Sequence, residues 1–192
     1  MEPTLTATLS IALGIGLAAA TGLRIFLPLL IAGIAARSGW ITLNDAFAWL
    51  DSTPALITLA TAAVIETLAY YIPGVDHVLD VIAGPAAAIA GVIASASVMT
   101  NVAPGVMWPL AIIAGGGVAG LTKGGTALLR AKTGIATAGL GNPVISTAEN
   151  VGATGIAILA IAVPLLCLFV VALVLFWAVR KIVRFVSARR AT

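Results

Sequence analysis

The sequence predicts an all-α fold, a polytopic bundle of five or six transmembrane helices with broken or re-entrant segments. Of its 192 residues, 61% are hydrophobic and only 9% are charged, and the mean hydropathy is +1.16. Residues 81–122 and 150–179 contain no charged side chain at all. A helix needs about 20 apolar residues to cross a bilayer. The length therefore predicts a single integral membrane domain over residues 1–192.

Apolar stretches supply the predicted helices. They run over residues 5–36, 54–72, 78–99, 106–129 and 155–179. The first is too long for one straight crossing, because at about 1.5 Å per residue it extends roughly 48 Å against a hydrocarbon core of about 30 Å. We expect a break at residues 21–24, since Gly22 loosens the helix and Pro28 removes a backbone donor. Membranes tolerate such a break only where protein or a water-filled cavity covers the freed backbone groups.

Two polar connectors and a second interruption complete the predicted order of elements. Residues 38–53 read as a connector with an interfacial amphipathic turn, in which Trp40 and Trp49 anchor the membrane interface. Residues 131–148 read as the other connector. The fourth apolar stretch carries a lone cation, Lys123, among many glycines, and we expect that helix to be broken there.

The two halves of the chain, residues 1–100 and 101–180, predict an internal repeat. Each half has a weakened helix near a base, Arg24 or Lys123, followed by a turn, an acid and a long helix. The acids of these echoing segments are Asp80 and Glu149. If each half crossed the membrane an odd number of times, the repeats would be inverted and their breaks would meet near the midplane.

Charged and polar side chains within or beside the apolar stretches are the candidate substrate- or ion-binding residues. Each intramembrane charge costs roughly 2.5–3.5 kcal/mol at a helix centre, so such charges are usually functional or paired. The candidates are Arg24, Glu66, Asp76, Asp80, Lys123, Glu149 and Asn150. With four acids against two bases, this set would carry net negative charge if all were ionised.

Each acid also has a structural interpretation. Asp76 and Asp80 are four residues apart and share a helix face, where they could bind a cation or share a proton, yet both positions also suit a helix cap. Glu66 suits either an ion pair with a base or a role in transport. Asn142 and Pro143 read as the start of a helix, with Ser146 and Glu149 spaced as in a capping box.

No catalytic constellation emerges from the sequence, so we expect a protein that is not an enzyme and has no cofactor. There is one histidine, and we find no nucleophile elbow, phosphate-binding glycine loop or two-histidine metal motif. Cys167 is the single cysteine, which excludes an intrachain disulfide. Five basic residues between Arg180 and Arg190 predict a basic cytoplasmic tail at residues 181–192 and no nucleic-acid partner.

Four motifs together resemble a known family. They are Gly22-Leu-Arg24 with Pro28, then Glu66, then Pro73-Gly-Val-Asp76 with Asp80, and finally Asn142-Pro143 with Ser146 and Glu149. In combination they resemble the bacterial membrane family catalogued as domain of unknown function 4126, which implies a multi-pass protein of the bacterial cytoplasmic membrane. That family places histidine and lysine ahead of the arginine corresponding to Arg130, whereas Lys123 and Thr126 stand in this stretch here. Residues 24–33 are also similar to DedA-type membrane proteins, which are associated with translocating polyprenyl-phosphate lipids.

These observations favour a small membrane transporter that moves an ion or a small polar or anionic solute through a polar midplane site. One alternative is a carrier or translocase of a phosphate-bearing lipid, held by Arg24 and Lys123. Another is a noncatalytic membrane scaffold whose charges form structural ion pairs. The expected partners are membrane lipids and a small ion, anionic solute or lipid headgroup, and a homo-oligomer is compatible with the sequence.

Overall fold

The computed structural model describes residues 3–72, 75–137 and 141–190, with the side chains of residues 3–5, 76, 77, 135 and 182–190 outside the described part. Most of the described residues are helical, and no strand occurs among them, which confirms the all-α prediction. The α-helices are α1 (Pro3–Thr21), α2 (Phe26–Arg37), α3 (Thr53–Ala69), α4 (Val75–Val98), α5 (Pro104–Leu110), α6 (Gly117–Thr137), α7 (Asn142–Ala162) and α8 (Pro164–Arg190). A 3₁₀ helix covers Asp45–Asp51, and a π-helical segment covers Ala111–Gly116.

Several of these helices are suited to a bilayer. Four helical segments of the described chain are long and apolar enough to cross it, namely Val78–Val98, Pro104–Gly134, Asn142–Ala162 and Pro164–Lys181. A fifth crossing results if the 3₁₀ helix and α3, which meet at 67°, count as one bent span. The helices α1 and α2 are shorter apolar segments. The protein is therefore an integral membrane protein.

The first apolar stretch forms two helices that lie side by side. Helix α1 ends at Thr21 and α2 begins at Phe26, so the chain breaks where the sequence predicts. Thr6 and Trp40, at the far ends of the two helices, line the same cleft, so α2 runs back along α1. A Cβ built on Gly22 would lie 2.5 Å from the carbonyl oxygen of Ala119. Only glycine therefore fits at this turn without a shift of the backbone.

Helix α1 is the centre of the bundle. It packs against α4, α7 and α8, and its residues Ala12, Leu17, Ala18 and Ala20 are fully buried. The contacts are made by small residues, which let helix backbones approach closely in a membrane.

Glycines also join α4 to the π-helical segment. A Cβ built on Gly91 would lie 2.8 Å from the carbonyl oxygen of Gly115 and would also collide with the Cβ of Ala119. The predicted break near Lys123 is wrong, because Lys123 lies inside the continuous helix α6. Glycine weakens a helix through the conformational freedom that it loses, but in a bilayer a broken helix would leave backbone groups without water to bond them, which favours the continuous helix.

Two further boundaries differ from the prediction. The stretch 155–179 is not one helix, because α7 ends at Ala162 and α8 begins at Pro164. The intervening Val163 has φ −142° and ψ 75°, as expected for a residue whose helical conformation is disfavoured by the following proline. The connector predicted at residues 131–148 is much shorter, since α6 continues to Thr137 and α7 begins at Asn142.

The bundle has two distinct ends. Thr6 of α1, residues 39–42 after α2, Val98 of α4 and Pro164 at the α7–α8 junction lie at one end. They line a cleft of about 290 Å³, which we call the polar cleft, together with Leu9, Ser10, Leu13, Thr100, Asn101 and Ile161. The ends of α1 and α3 and the beginnings of α2, α4 and α7 lie at the other end.

Candidate functional site

Six charged side chains and one tyrosine meet at the end of the bundle opposite the polar cleft. We call this group the charged cluster: Arg24, Glu66, Tyr70, Asp80, Lys123, Arg130 and Glu149. The α1–α2 linker and helices α3, α4, α6 and α7 each contribute at least one member. Because α2, α4 and α7 begin here, the positive ends of three helix dipoles also lie near the cluster.

Arg24 is held by helix α7 and is only 1% exposed. Its Nε donates a hydrogen bond to Oδ1 of Asn150 over 2.6 Å. Its Nη2 donates to Oγ of Ser146 over 2.6 Å and to the Ser146 carbonyl over 2.9 Å, and it lies 3.5 Å from Oε2 of Glu149. The hydrogen bonds that hold the Arg24 guanidinium are thus made to neutral groups, and its Nη1 is buried without a hydrogen-bond partner in the described structure.

Arg130 shares the same carboxylate and is 2% exposed. Its Nη2 donates to Oε2 of Glu149, and its Nε lies 3.3 Å from Oδ2 of Asp80. Among the described residues, Nη1 of Arg130 and Oε1 of Glu149 are buried without hydrogen-bond partners. Two buried guanidinium groups therefore converge on one oxygen of Glu149, while its other oxygen is unbonded.

Lys123, Tyr70 and Asp80 form the other half of the cluster. The Nζ of Lys123 donates to Oδ1 of Asp80 over 3.0 Å and to the Tyr70 hydroxyl over 2.9 Å. That hydroxyl in turn donates to Oδ1 of Asp80 over 3.3 Å. The Tyr70 ring centroid lies 4.4 Å from the guanidinium carbons of both Arg24 and Arg130 and 4.9 Å from Nζ of Lys123. These distances allow cation–π attraction from all three bases.

Glu66 caps a helix other than its own. Its two carboxylate oxygens accept hydrogen bonds from the backbone amides of Ile25 and Phe26 over 2.9 and 3.1 Å. These amides begin α2, where no side chain of the helix itself provides a cap. A carboxylate at a helix N-terminus also interacts favourably with the helix dipole. The structure thus gives Glu66 backbone partners in place of the ion pair that the sequence suggested as one alternative.

One predicted site residue, Asp76, is not placed in the cluster. Asp76 lies in the first turn of α4, but its side chain is outside the described part, as is that of His77. The predicted pairing of Asp76 with Asp80 is thus not described. Among the side chains that the structure describes, no three of His, Cys, Asp or Glu are arranged to hold a metal ion.

The capping box predicted at the start of α7 does not form. Gly141 precedes that helix and its terminus has no side-chain cap, whereas Ser146 and Glu149 turn toward the arginines. The spacing of a capping box also places these residues on one face of the helix, so the pattern fits both interpretations.

Arg130 and Tyr70 are members of the cluster that the sequence prediction missed. The sequence places Arg130 at the edge of the polar connector 131–148 rather than inside a helix, so it does not identify Arg130 as an intramembrane charge. Lys123 and Arg130 are seven residues apart in α6, which puts them on one helix face, and that spacing was the available signal. Counting Arg130 gives three bases and three acids among the described members, so the predicted negative balance becomes neutral.

The cluster lies near one end of the bundle rather than midway along it. Asp80 is five residues from the start of α4 and Glu149 seven from the start of α7, which corresponds to about 8 and 10 Å at 1.5 Å per residue. Both acids contact Arg130, so the two echoing segments begin at the same end and run in the same direction. The inverted arrangement considered from the sequence is not found for these two helices.

Comparison with known proteins gives one match. A family model described as Domain of unknown function (DUF4126) matches residues 11–184, a span that contains the whole charged cluster. It confirms the resemblance inferred from the four motifs, while the local similarity to DedA-type proteins stays a prediction. No curated protein and no solved structure matches the chain.

Proposed function

The chain belongs to the family DUF4126, and we propose that it is a small membrane transporter that moves an anionic solute through the charged cluster. The observation that carries this proposal is the pair of guanidinium groups on Arg24 and Arg130. Each is at most 2% exposed, and each has a buried Nη1 donor without a partner among the described residues. Buried donors are costly when unbonded, and guanidinium groups bind carboxylates and phosphates through paired hydrogen bonds.

The cost of the cluster supports a role beyond stability. Burying ion pairs is expensive, and well-packed apolar residues of similar volume are often equally stabilising or more so. Charged groups inside membrane proteins commonly mark the paths of ions and solutes. The break before α2 lies beside Arg24, and discontinuous helices that direct their positive ends at an anion are typical of transporter sites. We propose no enzymatic activity and no cofactor.

We propose that the cluster faces the cytoplasm in the bacterial cytoplasmic membrane. Helix α8 folds back along α7, since the Sγ of Cys167 contacts the carbonyl of Ile156, so its basic C-terminal half approaches the end that carries the cluster. Lys132 and the bases from Arg180 onward therefore share that end, whereas Arg37 lies near the polar cleft. Cytoplasmic segments of membrane proteins carry the excess of Lys and Arg.

Uptake of isotope-labelled anions into proteoliposomes tests the transporter, with acetate, lactate, phosphate and succinate as probes. Arg24→Ala is expected to reduce the protein-dependent uptake at least about tenfold, because truncating a buried charge that contacts substrate removes more than about 1.4 kcal/mol of binding. Arg37→Ala is the matched control, since Arg37 donates to Oγ1 of Thr53 at the other end of the bundle in an exposed setting. Uptake that survives Arg24→Ala unchanged would contradict the proposal.

A carrier of a phosphate-bearing lipid is the second candidate, and the position of the cluster favours it. The three bases contact acids that lie about 8 and 10 Å from the beginnings of α4 and α7, so the cluster is nearer to one membrane face, and its headgroups, than to the midplane. Native mass spectrometry in mild detergent separates the candidates. An anionic lipid that copurifies with wild type and Arg37→Ala but is lost from Arg24→Ala would favour the carrier. Protein that folds without bound lipid and takes up no anion would favour the scaffold.

A further inference from the structure

The three described acids of the charged cluster differ in how fully they are bonded. Both oxygens of Glu66 accept backbone amide protons, and both oxygens of Asp80 contact bases. Glu149 instead receives two arginines on Oε2 and no hydrogen bond on Oε1, although it is only 3% exposed. A proton placed on Oε1 of Glu149 would thus displace no existing hydrogen bond.

Protonation of Glu149 would change the net charge of the described cluster. The three bases and three acids of the described cluster cancel when all are ionised. A proton on Glu149 would leave one positive charge, centred on Arg24 and Arg130. Arg24 would keep its place, because Asn150 and Ser146 hold it through neutral groups. A buried positive charge without a partner is unstable, so the protonated cluster favours entry of one negative charge.

We propose that binding of a singly charged oxyanion is coupled to protonation of Glu149. The oxyanion, a carboxylate or a phosphate group, binds between Arg24 and Arg130 in place of the Glu149 carboxylate, and Glu149 takes up a proton from water. The proposal rests on the proposed function and names the coupling and substrate class of that same site. The proton goes to the unbonded Oε1, and the ligand oxygens receive the arginine hydrogen bonds that Oε2 gives up. Proton and anion enter together, so the net charge of the cluster stays zero and transport is electroneutral.

The groups around Glu149 allow this exchange. The titratable and charged side chains of the described cluster around Glu149 are Arg24 on the α1–α2 linker, Glu66 on α3, Tyr70 directly after α3, Asp80 on α4, and Lys123 and Arg130 on α6. Asp80 stays paired with Lys123 throughout, so it keeps Arg130 in position without competing for the incoming anion.

The test is ligand-induced thermal stabilisation in nanodiscs of neutral phosphatidylcholine, with formate and inorganic phosphate as soluble probes in chloride-free buffer. Glu149→Gln imitates the protonated acid. At pH about 7.5, the variant should bind formate at least about tenfold more tightly than wild type, and wild-type binding should strengthen toward that of the variant as the pH is lowered to about 5. The double variant Glu149→Gln with Arg130→Gln removes the excess charge and should lose this binding.

A pH series on wild type and a comparison of lipids complete the experiment. The pH series on wild type needs no variant, so it stands even if Glu149→Gln does not fold. Stabilisation only in nanodiscs with phosphatidylglycerol would identify a lipid headgroup as the oxyanion. No stabilisation by formate, phosphate or phosphatidylglycerol at either pH overturns the proposal, as does binding that is equally strong at both. Anion uptake without pH-dependent binding would refute the exchange but not transport, whereas pH-dependent binding without anion uptake would refute transport alone.

Discussion

Tyr70 is the neutral centre of the charged cluster. Its ring lies under Arg24 and Arg130, its hydroxyl joins Lys123 to Asp80, and it is only 2% exposed. Charged residues within apolar stretches could be predicted as site residues, because a charge inside the membrane is energetically costly. A tyrosine near a helix end could not, because tyrosines there usually anchor the membrane interface. Its role depends on bases that other helices bring to it.

Tyr70→Phe is expected to lower the free energy of unfolding by about 1 kcal/mol, because it removes the hydroxyl and keeps the ring. Tyr70→Leu should cost about 2 kcal/mol more, since desolvated cation–π contacts are lost as well. Denaturant titration in detergent micelles measures both. Tyr71→Phe is the control, because the Tyr71 hydroxyl bonds Oγ1 of Thr147 in an exposed position, and its effect should be near zero. Equal losses at Tyr70 and Tyr71 would contradict this account.

Glu66→Gln should destabilise the protein by about 1–3 kcal/mol despite its nearly identical shape. The new amide group would point a donor at a backbone amide that is itself a donor, at Ile25 or Phe26. Thermal unfolding of the detergent-solubilised protein detects the loss. Asp45→Asn, which changes an exposed acid at the other end of the bundle, should leave the midpoint unchanged. A stable Glu66→Gln protein would exclude the cap as an important contact.

At the scale of elements, glycine patterns indicate where a helix is unusual but not how. Glycines near Gly115 could predict either a break or close packing, and the structure has close packing through a π-helical segment. The difference is decided by α4, whose Gly91 and Ser95 face that segment. Such long-range matching cannot be recovered from one helix alone. Pro164, by contrast, was a local signal for the end of α7 and could have been used.

Gly91→Ala is expected to destabilise the bundle by about 1–3 kcal/mol, because the added methyl overpacks a tight helix contact. Gly120→Ala is the matched control in α6, where a Cβ would meet nothing within 4 Å. That change should be neutral or stabilising by up to about 1 kcal/mol, since alanine favours the helix. Unfolding midpoints of the two variants, measured side by side, test the contact. A Gly91→Ala protein as stable as Gly120→Ala would refute it.

At the scale of the whole molecule, the chain separates its charges from its cleft. The charged cluster gathers at one end, while the polar cleft with Trp40 lies at the other. Composition was sufficient to predict a helical membrane bundle. It could not predict that α2 returns beside α1, because that depends on the fit of Gly22 against Ala119.

Cysteine labelling tests the two-ended arrangement and its proposed orientation. In a Cys167→Ala background, Trp40→Cys and Tyr71→Cys place thiols at opposite ends, at positions that are 76% and 41% exposed. A membrane-impermeant maleimide should label Trp40→Cys on intact cells and Tyr71→Cys only after permeabilisation, because the basic end faces the cytoplasm. The reverse pattern would invert the orientation, and labelling of both positions on intact cells would contradict the two-ended arrangement.

The cap on α2 also constrains the order in which the protein is made. Helix α2 has 12 residues, about 18 Å in length, and is too short to cross the hydrocarbon core alone. The carboxylate that satisfies its first amides is 40 and 41 residues further along the chain. During translation α2 therefore leaves the ribosome before its cap exists. We expect α2 to remain beside the translocon until α3 has been made, and the two helices to enter the bilayer together. Insertion of α2 would then depend on the synthesis of Glu66.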